Sequence, residues 1–328
     1  MDIKTMSAFT RDVYGGPEAL KLDFVDKPVL KDDQVLVRVY ANSANPVDWH
    51  ILRGEPFFAR LTFGLFKPKD KIIGADFAGV VVEEGKNARK FKVGDKVFGE
   101  TLKGGSFAEY VAAPEDACAS MPAEIGFSEM ASLPVAGLTA FQALTTHGKL
   151  KCGETVLING ASGGVGHFAV QIAKAYGAHV TAVCSSRNES FVKSLGADIV
   201  IAYDRENIHQ HKGKYDLVID TNGNLFYNDY VRMGNRGVII GFTSMRHLVQ
   251  MMFRKSLGKF PLAQFTAEAN TEDLRALASL VSDNKIKPHI EKTYSYKDTP
   301  AAISFLEAMR TRGKVVIIWK PESRVTGQ

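Results

Sequence analysis

The strongest chemical signal is a glycine-rich turn, Gly160-Ala161-Ser162-Gly163-Gly164-Val165-Gly166. It follows an apolar run at 156–159 (VLIN) and opens a periodic stretch in which Val165, Phe168, Ala169, Ile172, Ala173 and Tyr176 share one helical face. A glycine pattern alone says little. Placed between a buried strand and a helix, it predicts a dinucleotide cradle. The glycines let the backbone approach a pyrophosphate closely, and the helix N-terminus offers N–H groups and a favourable dipole. Gly160, Ser162, Gly163, Gly164, Val165 and Gly166 are the expected cofactor contacts. A tight turn with no ligand is the lesser reading.

The end of the next strand bears on which nucleotide binds. An NAD site usually places Asp or Glu about 20 residues after the glycines, on the ribose 2′-OH. Between Gly166 and Glu189 there is no acidic residue, and the strand runs out into Cys184-Ser185-Ser186-Arg187-Asn188. Hydroxyls and a guanidinium suit a 2′-phosphate, which a carboxylate would repel. NADPH is therefore the expected cofactor, with Ser185 and Arg187 as leading contacts. The competing reading makes Arg187 a solvated cap of the following helix.

These residues need a scaffold, and the chain supplies two textures. Up to about residue 125 it reads as short strands broken by Gly and Pro, at 34–40, 80–84, 96–99 and 107–112. Past Ser128, apolar runs at 156–159, 179–183, 198–203, 216–220 and 237–242 alternate with helical segments, ending with a strand at 314–319. Strands apolar on both faces with helices between them predict a parallel sheet covered on both sides. The fold class is α/β, a β-rich domain beside a doubly wound one.

Composition removes several classes of function. The chain has 328 residues, enough for two domains, and a net charge of +5. A charge so mild gives little support to nucleic-acid binding without a local basic cluster. Cys118, Cys152 and Cys184 stand far apart, which argues against a disulfide framework or a cysteine-rich zinc module. The N-terminus has no apolar signal stretch, and no run approaches the ~18 apolar residues of a membrane span. A reducing cytoplasm is the expected location.

In this order the motifs resemble the medium-chain dehydrogenase/reductase superfamily, nearest its zinc-independent quinone oxidoreductase and enone reductase branch. The matching pieces are Tyr14-Gly15-Gly16-Pro17-Glu18, Asn45-Pro46-Val47-Asp48-Trp49, Phe91-Lys92-Val93-Gly94-Asp95-Lys96-Val97, Leu133-Pro134-Val135-Ala136-Gly137-Leu138-Thr139-Ala140 and the glycine turn. The resemblance implies a GroES-like catalytic domain over 1–127, completed by 268–328. It implies a Rossmann NADP-binding domain over 128–267, and a cleft between the two. Zinc members of the superfamily hold the metal with Cys and His ligands. Here the first Cys position is Asn45, the Gly-His-Glu motif reads Gly74-Ala75-Asp76, and the 133–140 segment has no cysteine. An amide and an alanine do not make a tetrahedral N/S shell, so no zinc is expected.

Without a Lewis acid, the implied reaction is hydride transfer to an already activated quinone or α,β-unsaturated carbonyl, with donors stabilising the charge on its oxygen. The resemblance implies that Asn45 is the active-site amide, donating through its NH₂, and that His50 occupies a proton-relay position. A turn residue before Pro46 and a structural histidine are the competing readings. Asp48 is expected to pin the turn. Thr139 and the backbone at Phe242–Ser244, Phe242 and Thr243 foremost, are expected to flank the nicotinamide, and Tyr203 to help hold the 2′-phosphate. The family also implies a homodimer, for which the 237–242 strand offers an edge. The rival class of function is an NADPH-binding interaction or peripheral-membrane protein with little turnover. Residues 245–260, basic and apolar together, would then face an anionic surface. An ordinary packed helix is the preferred reading of that stretch.

Overall fold

The computed structural model describes residues 4–101, 105–241 and 245–320. The chain forms two compact units, one of residues 1–135, 269–282 and 288–328, the other of 136–268 and 283–287. The first unit thus runs to Val135, past the expected limit of 127, and the second takes back a short loop at 283–287.

The first unit opens with a hairpin of β1 (Thr5–Thr10) and β2 (Lys21–Asp26). Then come β3 (Gln34–Ala44), β4 (Asp76–Glu84), β5 (Lys96–Glu100), β6 (Tyr110–Pro114) and β7 (Cys118–Ser120). Helix α1 (Pro46–Arg53) leaves β3 directly, and α2 (Arg60–Phe63) lies in the excursion before β4. Strand β3 organises this unit because its alternation buries Val35, Val37 and Val39 against Phe77, Val81, Val97 and Val111. Pro46 sits at the start of α1, where its missing N–H costs nothing, and Gly54 ends the helix in the left-handed region at φ 62°. Two helices, α3 (Phe127–Ala131) and α4 (Pro134–Gln142), carry the chain onward.

The second unit is a six-stranded parallel sheet. Its strands are β8 (Thr155–Asn159), β9 (His179–Cys184), β10 (Ile199–Ala202), β11 (Tyr215–Asp220), β12 (Gly234–Ile239) and β13 (Leu262–Gln264). Their spatial order, β10-β9-β8-β11-β12-β13, is the doubly wound order, with the switch point between β8 and β9 on one side and β11 on the other. Helices α5 (Gly164–Ala175), α6 (Glu189–Ser194), α7 (Tyr227–Met233) and α8 (Met245–Leu257) connect these strands. Helix α8 is anchored as a packed helix: Met251 joins the core with Leu157, Val218 and Tyr230, and His247 Nε2 meets the Leu225 carbonyl at 3.1 Å. The expected 237–242 strand begins earlier, at Gly234, and is not an edge, because β13 pairs with it. That edge is therefore closed to the pairing expected of a dimer.

The chain then returns to the first unit with α9 (Thr271–Ser282), β14 (Ile290–Ser295), α10 (Thr299–Glu307) and β15 (Lys314–Ile318). Strand β15 pairs antiparallel with the second half of β3, setting Val315 opposite Ala44 and Ile318 opposite Ala41. Its first residue, Lys314, thereby arrives beside the start of α1.

Candidate active site

In the second unit the turn at 160–166 is built from backbone. Gly160 adopts φ +84°, and a Cβ there would lie 2.4 Å from Thr221 Oγ1. Gly160 and Ala161 both donate to the Val183 carbonyl, at 3.1 and 3.0 Å, which ties the turn to the end of β9. A Cβ on Gly166 would stand 2.1 Å from the Gly160 carbonyl oxygen, so only glycine lets α5 start this close to the turn. Gly163 differs: a Cβ there meets nothing nearer than 3.5 Å. The α5 N-terminus carries no side-chain cap, so its leading N–H groups are not satisfied by their own helix or by a capping side chain. Close backbone, open space above Gly163 and uncapped N–H groups fit a pyrophosphate.

Around this turn the structure gathers most of the expected cofactor contacts. Ser162 Oγ accepts from Asn188 Nδ2 at 3.0 Å, linking the turn to the segment after β9. Ser185 is nearly buried and Arg187 is exposed on the same short segment. Tyr203, exposed, lies at the end of β10, where its N–H donates to the Cys184 carbonyl at 3.0 Å. An open hollow of about 410 Å³ is lined by Tyr203 through His209 and by Asn224. Thr139 is nearly buried on α4. Phe242, Thr243 and Ser244 lie outside the described residues.

One acidic group in this region escaped the sequence reading. Asp204 accepts from the Ser186 N–H at 2.9 Å and its hydroxyl at 2.7 Å. Those two bonds hold its carboxyl below the usual range. The slot between Gly166 and Glu189 is empty of acids in sequence, yet a carboxylate from beyond β10 reaches it in space.

In the first unit, Asn45 is closed off from solvent at the start of α1. Its Nδ2 donates to the Ser43 carbonyl at 3.2 Å and to Asp76 Oδ2 at 2.8 Å. Its Oδ1 accepts from the Lys314 ammonium. Both amide hydrogens are engaged, which corrects the expectation that Asn45 donates through its NH₂ to a substrate oxygen. Asn45 is a link within a buried polar cluster. Asp48 accepts the Asn45 backbone N–H at 2.7 Å, one half of a capping box, as expected of a residue pinning the turn.

The cluster contains three carboxyls and one cation, all buried: Asp48, Asp76, Glu100 and Lys314. Strand pairing sets Asp76 opposite Ser43 on one side and Glu100 on the other. Asp76 Oδ1 accepts the Val135 N–H at 2.9 Å, and Oδ2 faces both Asn45 and, at 3.5 Å, Lys314. Burial pushes Asp76 up and Lys314 down, each opposed by the charge of the other, and the donors on both Asp76 oxygens favour its ionised form over those of Asp48 and Glu100. Burial pushes Asp48 up to about 8, opposed by its hydrogen bond from Asn45. Burial likewise pushes Glu100 up to about 8, helped by the neighbouring Asp76. One ion pair and two neutral acids balance the interior.

His50, two residues beyond Asp48 on α1, is half-buried and stacks on Trp49 with ring centroids 3.7 Å apart. Its Nδ1 is buried without a hydrogen-bond partner, and burial holds the imidazole below its ordinary pKa. The ring is neutral at pH 7. Glu100 and Lys314 were absent from the sequence reading. Their signal was indirect: acids at 48, 76 and 100 in apolar surroundings require a buried cation, and the lysine opening an apolar strand supplies it.

Comparison with known proteins agrees with this architecture. Residues 31–123 match the alcohol dehydrogenase GroES-like domain family, and residues 195–317 match the zinc-binding dehydrogenase family. The chain is 37% identical to the chloroplast envelope quinone oxidoreductase homolog of Arabidopsis thaliana, over 96% of this chain and 98% of that protein. It is 33% identical to the NADPH-dependent alkenal/one oxidoreductase of the same plant, over 96% of this chain and 80% of that one. The quinone oxidoreductase structure from Coxiella burnetii superposes with a TM-score of 0.85 at 32% identity, covering 97% of this chain and all of that one. The chain belongs to the medium-chain dehydrogenase/reductase superfamily, a family of nicotinamide-dependent enzymes, in its quinone and enone reductase branch.

Proposed function

We propose that this enzyme is a zinc-independent, NADPH-dependent reductase of quinones or α,β-unsaturated carbonyls. The observation that carries the reading is the buried cluster at Asn45. Where zinc-binding relatives would need N and S ligands, this chain sets an amide, carboxyls and the Lys314 ammonium. That donor set does not fit zinc, since the ammonium already supplies a positive charge and would repel the ion. Among the described residues, no group of three or more His, Cys, Asp or Glu is placed to hold a metal. Without a metal to polarise a carbonyl, an acceptor activated by its own conjugation is the substrate this chain can serve.

NADPH, when bound, supplies a hydride for the β-carbon of the acceptor. The chain's own tasks are to hold the pyrophosphate at the 160–166 turn and to hold the 2′-phosphate through Ser185, Arg187 and Tyr203. Asp204, held by the Ser186 N–H and hydroxyl, is the acid nearest this segment, so the Arg187 guanidinium must outweigh it for the phosphate to bind. The similarity to an NADPH-dependent alkenal/one oxidoreductase supports the same assignment. His50, half-buried on α1 where Asp48 is closed to solvent, is the group assigned to move the proton that accompanies the hydride.

A reducing cytoplasm is supported by three free thiols, and no helix among the described residues is long and apolar enough to cross a membrane. A homodimer formed by extending this sheet uses one of its outer strands, β10 or β13, and not β12. The decisive experiment is cofactor oxidation with a panel of quinones, enones and simple aldehydes, using NADPH and NADH in turn. Reduction of the first two classes with NADPH preferred is expected. Arg187→Ala should weaken NADPH about tenfold or more and leave NADH unchanged, the loss of one charge-assisted contact. Preference for NADH, or reduction of unconjugated aldehydes alone, sinks the reading.

A further inference from the structure

The excursion between α1 and β4 carries a largely exposed apolar face. Phe57, Phe58 and Leu61 recur at helical spacing through the turn leading into α2 and along it, followed by Leu65 and Phe66. Leu61 is 71% exposed and Phe66 90%. Exposure of this kind is informative because the segment is held firmly from behind. Phe63 packs on the first unit's core, and Pro68 is buried. Tyr14 donates its hydroxyl to the Gly64 carbonyl at 2.6 Å, and Lys69 N–H donates to the Phe63 carbonyl at 2.8 Å. Arg60 Nε donates to the Gly54 carbonyl at 3.0 Å, its guanidinium lying over the Tyr14 ring. Val13, next to Tyr14, adds a further exposed apolar side chain.

The same stretch is cationic. Residues 57–71 contain Arg60, Lys67, Lys69 and Lys71 against Asp70, and the three lysines are exposed, with Lys71 paired to Asp12 at 3.0 Å and Lys67 and Lys69 carrying the excess charge. Anchored aromatic and leucine side chains rimmed by lysines match the chemistry of an anionic bilayer surface, with acyl chains behind and negative headgroups in front. A second copy related by a two-fold axis fits poorly, because it would bring the same lysines face to face. We propose that residues 57–71 form a docking surface for an anionic lipid bilayer. The proposal is independent of which acceptor the enzyme reduces.

The test is co-sedimentation of the full chain with vesicles of phosphatidylcholine alone and of phosphatidylcholine with phosphatidylserine. Binding is expected to the mixed vesicles and to weaken with added salt. Leu61→Asp with Phe66→Asp should lower it more than tenfold, since each removes a side chain from the bilayer. Replacing Lys67 and Lys69 by Gln should cost about fivefold per lysine on the acidic vesicles only. Thermal melts and NADPH titration of each variant report an intact fold. Arg254→Gln with Lys255→Gln on α8 should change nothing. Three results would overturn the proposal. They are no binding to acidic vesicles, binding untouched by the 57–71 variants, and a patch variant that raises KM for a water-soluble acceptor or breaks a dimer while vesicle binding stays the same.

Discussion

Lys314 Nζ lies 3.5 Å from Asp76 Oδ2, and both side chains are closed to solvent. The lysine comes from the last strand of the chain and the aspartate from β4, so the pair fastens the C-terminal return to the sheet it completes. Removing one partner leaves a buried charge without its counter-charge, which typically costs about 3–5 kcal/mol. Lys314→Met is expected to destabilise the enzyme by that amount in urea unfolding. Lys314→Met with Asp76→Asn should recover most of the loss, because no charge then remains unpaired. If the double variant is as unstable as the single one, packing around the lysine stem, and not the pair, holds the strand.

Asp48 and Glu100 set a pH dependence of the opposite sense to the usual acidic residue. Burial raises both to about 8 in the folded protein, whereas in the unfolded chain they titrate near ~4. Between those values the folded state retains protons that the unfolded chain has released. Stability therefore falls as pH rises through this window, by up to about 1.4 kcal/mol per pH unit for each group. Asp48→Asn keeps an oxygen for the Asn45 N–H and removes the titration. It should be more stable than wild type at pH 8, with a flatter profile of melting temperature against pH. An unchanged slope in both Asp48→Asn and Glu100→Gln would show that these acids are ionised when folded.

How far these features could be read in advance depended on whether a residue's environment lies along the chain. Strands β8 and β11 are covered on both faces, so Val156-Leu157-Ile158 and Leu217-Val218-Ile219 announce themselves as continuous apolar runs. Strand β12 begins in Gly234, Asn235 and Arg236, a polar start that pairs with β11 all the same, and its beginning was misplaced accordingly. Asp204 touches Ser186 across 18 residues, a contact made only when β9 and β10 align. Lys314 reads as an exposed lysine until β15 is laid against β3. Asn45 reads in sequence as an amide before a proline, and what its donors meet follows only once Asp76 and Ser43 stand beside it.

Gly163 and Gly166 separate binding from folding. A methyl on Gly163 meets no atom nearer than 3.5 Å, so Gly163→Ala should melt within a degree or two of wild type, roughly the scatter of neutral substitutions. It should nevertheless weaken NADPH at least about tenfold, because the added carbon stands where the pyrophosphate must approach. A methyl on Gly166 is driven to 2.1 Å from the Gly160 oxygen and must displace the turn. That overpacking is expected to cost about 1–3 kcal/mol and to abolish binding. Calorimetry and a fluorescence titration on the two variants give the comparison. Equal loss of stability in both would mean the space above Gly163 is not open.

His50 is the remaining test of the chemistry. Its imidazole is neutral at pH 7 because burial disfavours the charged ring, and stacking on Trp49 fixes its plane. A group in that state donates a proton only after capturing one, so a turnover that depends on it rises as pH falls toward its lowered pKa. His50→Ala should lower turnover with an enone about a hundredfold and erase that limb of the profile. NADPH affinity should not move, since the cradle lies in the other unit. Loss of turnover with the pH limb intact would make His50 a support for the fold of α1. Unchanged turnover would remove it from the mechanism and leave solvent as the proton source.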